Sequence, residues 1–209
     1  MIFKKAKSDY IETMRWFVLF CVASSVASEP SVALQRLVDG NARYVEDQLS
    51  HPDRSSDRRE EITSGQAPFA TILGCSDSRV PPEIIFDQGL GDLFVVRVAG
   101  NVVAPVEQDS IDYSVKYLGS SIILVMGHES CGAVDAVMAG KTADIEDVAR
   151  LIKPAIKQSK DIESAIKANV RWVVNSVKKS PMIKKYMADG KIDVVGGYYH
   201  LGTGKVELL

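Results

Sequence analysis

The chain has 209 residues, 46% hydrophobic and 25% charged, ordinary globular proportions that favour one domain with a real core. The formal net charge is -2 and no basic stretch stands out, so composition gives no sign of a nucleic-acid partner.

Residues 1–28 read as a signal peptide. Arg15 precedes an apolar core from Trp16 to Ala23, and small residues follow, with Ser25 and Ala27 or Val26 and Ser28 at the cleavage positions. That core is too short to span a bilayer comfortably, so no membrane span is expected in the mature chain. The expected location is periplasmic or secreted; the alternative is a cytoplasmic protein with an amphipathic arm. Met14 is a sensible second start. Cleavage near Ser28 removes Lys4, Lys5, Lys7 and Arg15 with Asp9 and Glu12, leaving a net charge of -4. It also removes Cys21, so only Cys75 and Cys131 remain.

The mature chain, residues 29–209, then reads as one α/β domain. Residues 30–49 suit a helix with Val32, Leu34, Leu37, Val38, Tyr44 and Val45 as apolar positions and Gly40 as a weak point. Residues 51–66 are charged and polar, a solvated helix or loop. "FATILG" (69–74) and "LFVVRVAG" (93–100) read as strands buried on both faces. Residues 107–119 predict a helix with Ile111, Val115 and Leu118 inward and Gly119 as its stop. "SIILVMGH" (121–128) is the strongest strand, and 131–140 starts another helix. Residues 143–188 are helical, and 191–209 give a strand and a hairpin-like end. Strands alternating with helices predict a mostly parallel central sheet flanked by helices.

Ligands in such folds collect beyond the carboxyl ends of the strands. Cys75 follows the first strand directly, His128 closes the third, and Cys131 comes three residues later. Two thiolates and an imidazole are soft ligands suited to zinc, and a three-ligand site keeps a position open for chemistry. A disulfide or a Cys–His nucleophile are the competing uses of the cysteines. In "CSDSR", Asp77 and Arg79 alternate along an extended segment and so point the same way. A bidentate guanidinium would hold the carboxylate ionised and oriented. The carboxylate then either accepts a hydrogen bond from a zinc-bound oxygen or binds zinc itself and closes the site. Zinc with two thiolates is formally neutral, so its water is expected to be less acidic than beside three histidines, and the chemistry to favour alkaline pH.

"CSDSR" followed some fifty residues on by "GHESCG" resembles the β-class carbonic anhydrases. The likeness runs from about Pro30 to the end and includes "GNARY", "FVVRVAGN" and "VVGGYYHLGTGKV". It implies reversible hydration of CO2 to bicarbonate and a proton through a zinc-bound hydroxide. One Zn2+ per subunit would be bound by Cys75, His128 and Cys131, with Asp77 and Arg79 as the catalytic dyad. It further implies Gln66, Phe94 and Tyr113 as substrate-pocket residues, and a homodimer or homotetramer with pockets at the subunit interface. Some members carry a Trp three residues before the first cysteine, part of a bicarbonate site favouring the closed form. Ile72 stands there in this chain, so the open form is expected at neutral pH. Two alternatives are a carbonyl sulfide or carbon disulfide hydrolase on the same scaffold and a catalytically silent zinc-binding protein. The intact Asp77 and Arg79 argue against the silent protein.

Overall fold

A computed structural model describes residues 29–209; the signal-peptide reading of residues 1–28 lies outside the described residues. A five-stranded sheet in the order β2-β1-β3-β4-β5 forms the centre. Its strands are β1 (Ala70–Gly74), β2 (Leu93–Arg97), β3 (Ile122–His128), β4 (Asp193–Tyr199) and β5 (Val206–Leu208). The first four are parallel and β5 returns antiparallel on β4. This is the mostly parallel α/β architecture that the alternation of elements predicts.

Every residue of β1 and β3 is buried. Such strands have no solvent face, which is why each reads as an unbroken apolar run. Successive residues still point to opposite sides. Ile72, Leu124 and Met126 join the core on one face, while Leu73, Ile123 and Val125 join the core on the other. β2 has the same composition but lies at the sheet edge, and Leu93–Val96 are only half-buried. The expectation of burial on both faces is therefore corrected for β2, whose outer flank has no neighbouring strand within the chain.

The helices α1 (Pro30–Val45), α2 (Ser56–Glu61), α3 (Pro82–Ile85), α4 (Pro105–Leu118), α5 (Gly132–Met138), α6 (Glu146–Ile152), α7 (Ile162–Val177) and α8 (Pro181–Ala188) connect and cover the strands. α4 starts on a proline at its first position and stops at Gly119, which takes φ 80°, as the sequence signals require. The helical stretch predicted over 143–188 is divided into α6, α7 and α8. Asp161 caps α7 by accepting from the Ser164 N–H, and Ser180 with Pro181 opens α8.

α1 departs from its pattern in two ways. Ala33 and Leu37 are buried, but Val32, Val38 and Val45 are exposed. Gly40 is not a weak point but a contact. A Cβ there would lie 1.8 Å from the Phe86 carbonyl oxygen, so only glycine lets α1 approach the chain after α3.

The strand order places the site. The chain steps from β1 outward to β2, then crosses back to lay β3 on the other side of β1. The connections leaving the carboxyl ends of β1 and β3 therefore diverge, and a crevice opens between them.

Candidate metal centre

Cys75 leaves β1 and His128 ends β3, and the two strands are hydrogen-bonded neighbours. Cys131 sits at the start of α5, brought back by Ser130, which takes φ 54°. The sulfurs and an imidazole nitrogen all lie within 4.8 Å of one another, and all three residues are buried. Both cysteines are free thiols, which removes the disulfide reading in this structure.

The donor set fits a metal ion. The His128 Nδ1–H donates to the Glu129 carbonyl at 2.9 Å, which leaves the lone pair on Nε2. Nε2 is buried and has no hydrogen-bond partner. An orphaned buried nitrogen facing two sulfurs is costly unless a cation takes its lone pair. The thiols share the proton unequally. Hydrogen bonding from Cys131 lowers the Cys75 pKa despite burial, with the Asp77 and Gly100 N–H groups adding to it. Cys131, the donor in that pair, is pushed up, and its burial adds to the rise.

Asp77 and Arg79 stand at the mouth. Arg79 Nε and Nη2 reach the two Asp77 carboxylate oxygens at 2.9 and 2.7 Å, the parallel geometry expected of the pair. The Arg79 N–H also donates to Oδ1 at 2.9 Å. The guanidinium holds the Asp77 carboxyl well below the usual carboxylate range. Arg79 further reaches the Ser130 carbonyl at 3.4 Å, tying the β1 end to the β3 end. Asp77 Oδ2 lies 3.8 Å from His128 Nε2, beyond hydrogen-bond reach but beside the metal position.

Two further residues of the site, Arg97 and Gly100, fall within "FVVRVAGN", a segment assigned no site role from the sequence. Arg97, at the end of β2, donates from Nε to the Cys75 carbonyl at 2.9 Å and from Nη2 to the Asp77 carbonyl. Gly100 donates its N–H to Cys75 Sγ at 3.3 Å. A lone charge closing an apolar run is a signal that could have found Arg97. Gly100 acts through its backbone, which a side-chain reading does not register.

The other three predicted residues lie elsewhere in the chain. Gln66 is exposed in the loop before β1, at the opposite end of that strand from Cys75. Phe94 pairs in register with Thr71, near the start of β1. Its ring lies 6.3 Å from that of Tyr113 on α4, and Tyr113 in turn lies 5.3 Å from Tyr117. Half-buried Phe94 and exposed Tyr113 and Tyr117 form an aromatic ladder beside the open edge of β2.

Fold and site together define a class: a parallel α/β protein with a buried Cys–His–Cys centre at a topological switch point and an Arg-held carboxylate beside it. The comparisons specify it. The family model described as carbonic anhydrase matches residues 70–206. A carbonic anhydrase of Mycolicibacterium smegmatis is 38% identical over 193 residues, covering 87% of this chain and 94% of the relative. Carbonic anhydrase 2 of Mycobacterium tuberculosis is 37% identical with similar coverage, 87% and 93%. Among solved structures, the β-carbonic anhydrase CcaA aligns with a TM-score of 0.65 at 26% identity, covering 84% of this chain and 94% of that one. A tetrameric β-carbonic anhydrase of Sordaria macrospora aligns at 0.67 and 26%, covering 86% and 95%. This chain belongs to the β-class carbonic anhydrase family.

Proposed function

We propose that residues 29–209 form one catalytic domain, a zinc-dependent carbonic anhydrase that interconverts CO2 with bicarbonate and a proton. The observation that carries this reading is the orphaned His128 Nε2, facing two free thiols with an Arg79-held carboxylate beside it. Cys75, His128 and Cys131 would hold the ion, which supplies Lewis acidity and makes water nucleophilic near neutral to alkaline pH. Asp77 accepts a hydrogen bond from an O–H in the space between its carboxylate and His128, and so aims the oxygen at the carbon of CO2. Arg79 keeps that carboxylate ionised and turned to one side. The pairing of Asp77 with Arg79 supports the open form expected from Ile72. Names of the relatives favour CO2 over carbonyl sulfide or carbon disulfide as substrate.

Gln66, Phe94 and Tyr113 complete this reading through a second copy of the chain, since among the described residues no hydrogen bond, ion pair or ring contact joins them to Cys75, Asp77, His128 or Cys131. An exposed aromatic face along an open strand edge is suited to such a partner. Among the described residues no helix is long and apolar enough to cross a membrane. Residues 1–28 are proposed as an export signal, which N-terminal sequencing of the mature protein would test.

The deciding experiment is metal analysis followed by stopped-flow CO2 hydration. About one zinc per chain and a rate well above buffer are expected. Zinc-loaded protein no faster than buffer would sink the proposal, and sulfide release from carbonyl sulfide in its place would redirect it.

A further inference from the structure

We propose that Asn169 is a positioning residue for the metal centre, acting through Gly100 on the sulfur of Cys75. The inference rests on reading Cys75, His128 and Cys131 as metal ligands. Asn169 lies on α7, wholly buried, and its Nδ2 donates to the Gly100 carbonyl at 2.9 Å. The Gly100 N–H donates in turn to Cys75 Sγ at 3.3 Å. One glycine thus joins a helix amide to a ligand sulfur.

Gly100 needs an external brace. It takes φ 69° and ψ 19°, a left-handed conformation that other residues resist. A Cβ there would lie 2.8 Å from Ile152 Cδ1 and 3.3 Å from the Ala133 Cβ. Glycine is required at this point, and glycine is also the residue with the widest choice of conformations. The bond from Asn169 to its carbonyl narrows that choice, and with it the aim of the N–H at sulfur.

Core packing does not call for an amide at this position. Ile166, Val170 and Val173 on the same helix are all buried and apolar. Asn169 Oδ1 is buried without a protein partner, so this side chain carries a desolvation cost that an apolar residue would avoid. Its one paired atom is spent on Gly100. An N–H donated to a thiolate stabilises the charged sulfur, and partners of this outer kind tune both metal affinity and ligand electronics.

The test uses the full chain. Zinc affinity is measured by competition with a chelator, and the sulfur environment by the thiolate-to-metal charge-transfer band of the cobalt(II) protein. Asn169→Leu, close in size but unable to donate, is expected to bind zinc roughly tenfold more weakly or worse and to shift the band. Asn169→Ser, too short to reach Gly100, should do the same and serves if the leucine variant does not fold. Val177→Ala, a buried change further along α7, should lower thermal stability while leaving affinity and band unchanged. A folded Asn169 variant with wild-type affinity and an unshifted band overturns the inference. Wild-type protein that takes up neither metal overturns the metal-site reading itself, which tells the two failures apart.

Discussion

Asp77 is half-buried and shares both of its oxygens with one guanidinium. An amide of the same shape keeps the bulk but loses the charge, and its nitrogen faces a cationic donor. Asp77→Asn is therefore expected to retain its zinc, because the side chain is not among the three ligands, while CO2 hydration falls by roughly 100-fold or more. Metal analysis beside stopped-flow rates checks this, and near-normal activity would remove Asp77 from its role. The local part of the site was legible in the sequence. Cys75, Asp77 and Arg79 follow one strand in alternation, and His128 and Cys131 stand three residues apart after another, so short-range spacing carries their relation. Arg97, Gly100 and Asn169 were not legible. They act on backbone carbonyls or through a backbone N–H across the sheet, and no spacing along the chain records which carbonyl a distant donor will meet.

Asp87 shows the same limit among the elements, where α1 closes on the segment after α3. It is wholly buried, with φ 45°, and was not singled out as a charge. Its carboxylate accepts from Arg43 Nε at 2.7 Å, from the Ser50 N–H and hydroxyl at 2.9 and 2.8 Å, and from the His51 N–H at 3.0 Å. Burial alone would push its pKa up, but these donors outweigh it and hold the carboxyl below the usual range. The stabilisation is thus fully present above the unfolded carboxylate pKa of about 4 and is lost as pH falls through the lower folded value. Asp87→Asn removes the charge that pairs with Arg43 and replaces one of the two acceptor oxygens facing the 50–51 turn with a donor. Arg43 is about one-third exposed, so its freed charge is partly solvated, and losing the charge-assisted bonds to this buried carboxylate should cost about 2 kcal/mol, read by denaturant unfolding at pH 7. The gap between wild type and variant should narrow as the pH drops below about 4; a constant gap would show that the charge is not what stabilises. The strands and helices themselves were readable, because period and caps are local. The error over β2 has the opposite origin, since edge and centre strands of this composition look alike until the strand order is known.

At the scale of the whole molecule, the strand order leaves β2 with an unpaired flank and an aromatic face beside it. Tyr113 is 48% exposed, Tyr117 65% and Val106 73%, a large apolar display for an isolated chain. Phe94 and Tyr113 lie in this region and Gln66 in the loop before β1, while Cys75 follows the other end of β1. Phe94 stands in register with Thr71, four residues before Cys75, and four residues of strand span about 13 Å, too far for its side chain to reach across. A complete pocket within one copy is thereby disfavoured, and two copies that exchange these faces would complete two pockets at once. Tyr117→Arg tests the arrangement without altering Gln66, Phe94 or Tyr113. The side chain is exposed, so the isolated fold should tolerate the change. A cation on a self-associating face would meet its own symmetry mate or a desolvated apolar surface, and both oppose association. Sedimentation velocity should show wild type as a dimer or tetramer and the variant shifted toward monomer at micromolar concentration. Zinc content should be unchanged, because every ligand comes from one chain, while CO2 hydration per zinc should fall and recover as the protein concentration is raised. A variant that is monomeric and fully active would show that one chain suffices, and the roles proposed for Gln66, Phe94 and Tyr113 would fall with the interface.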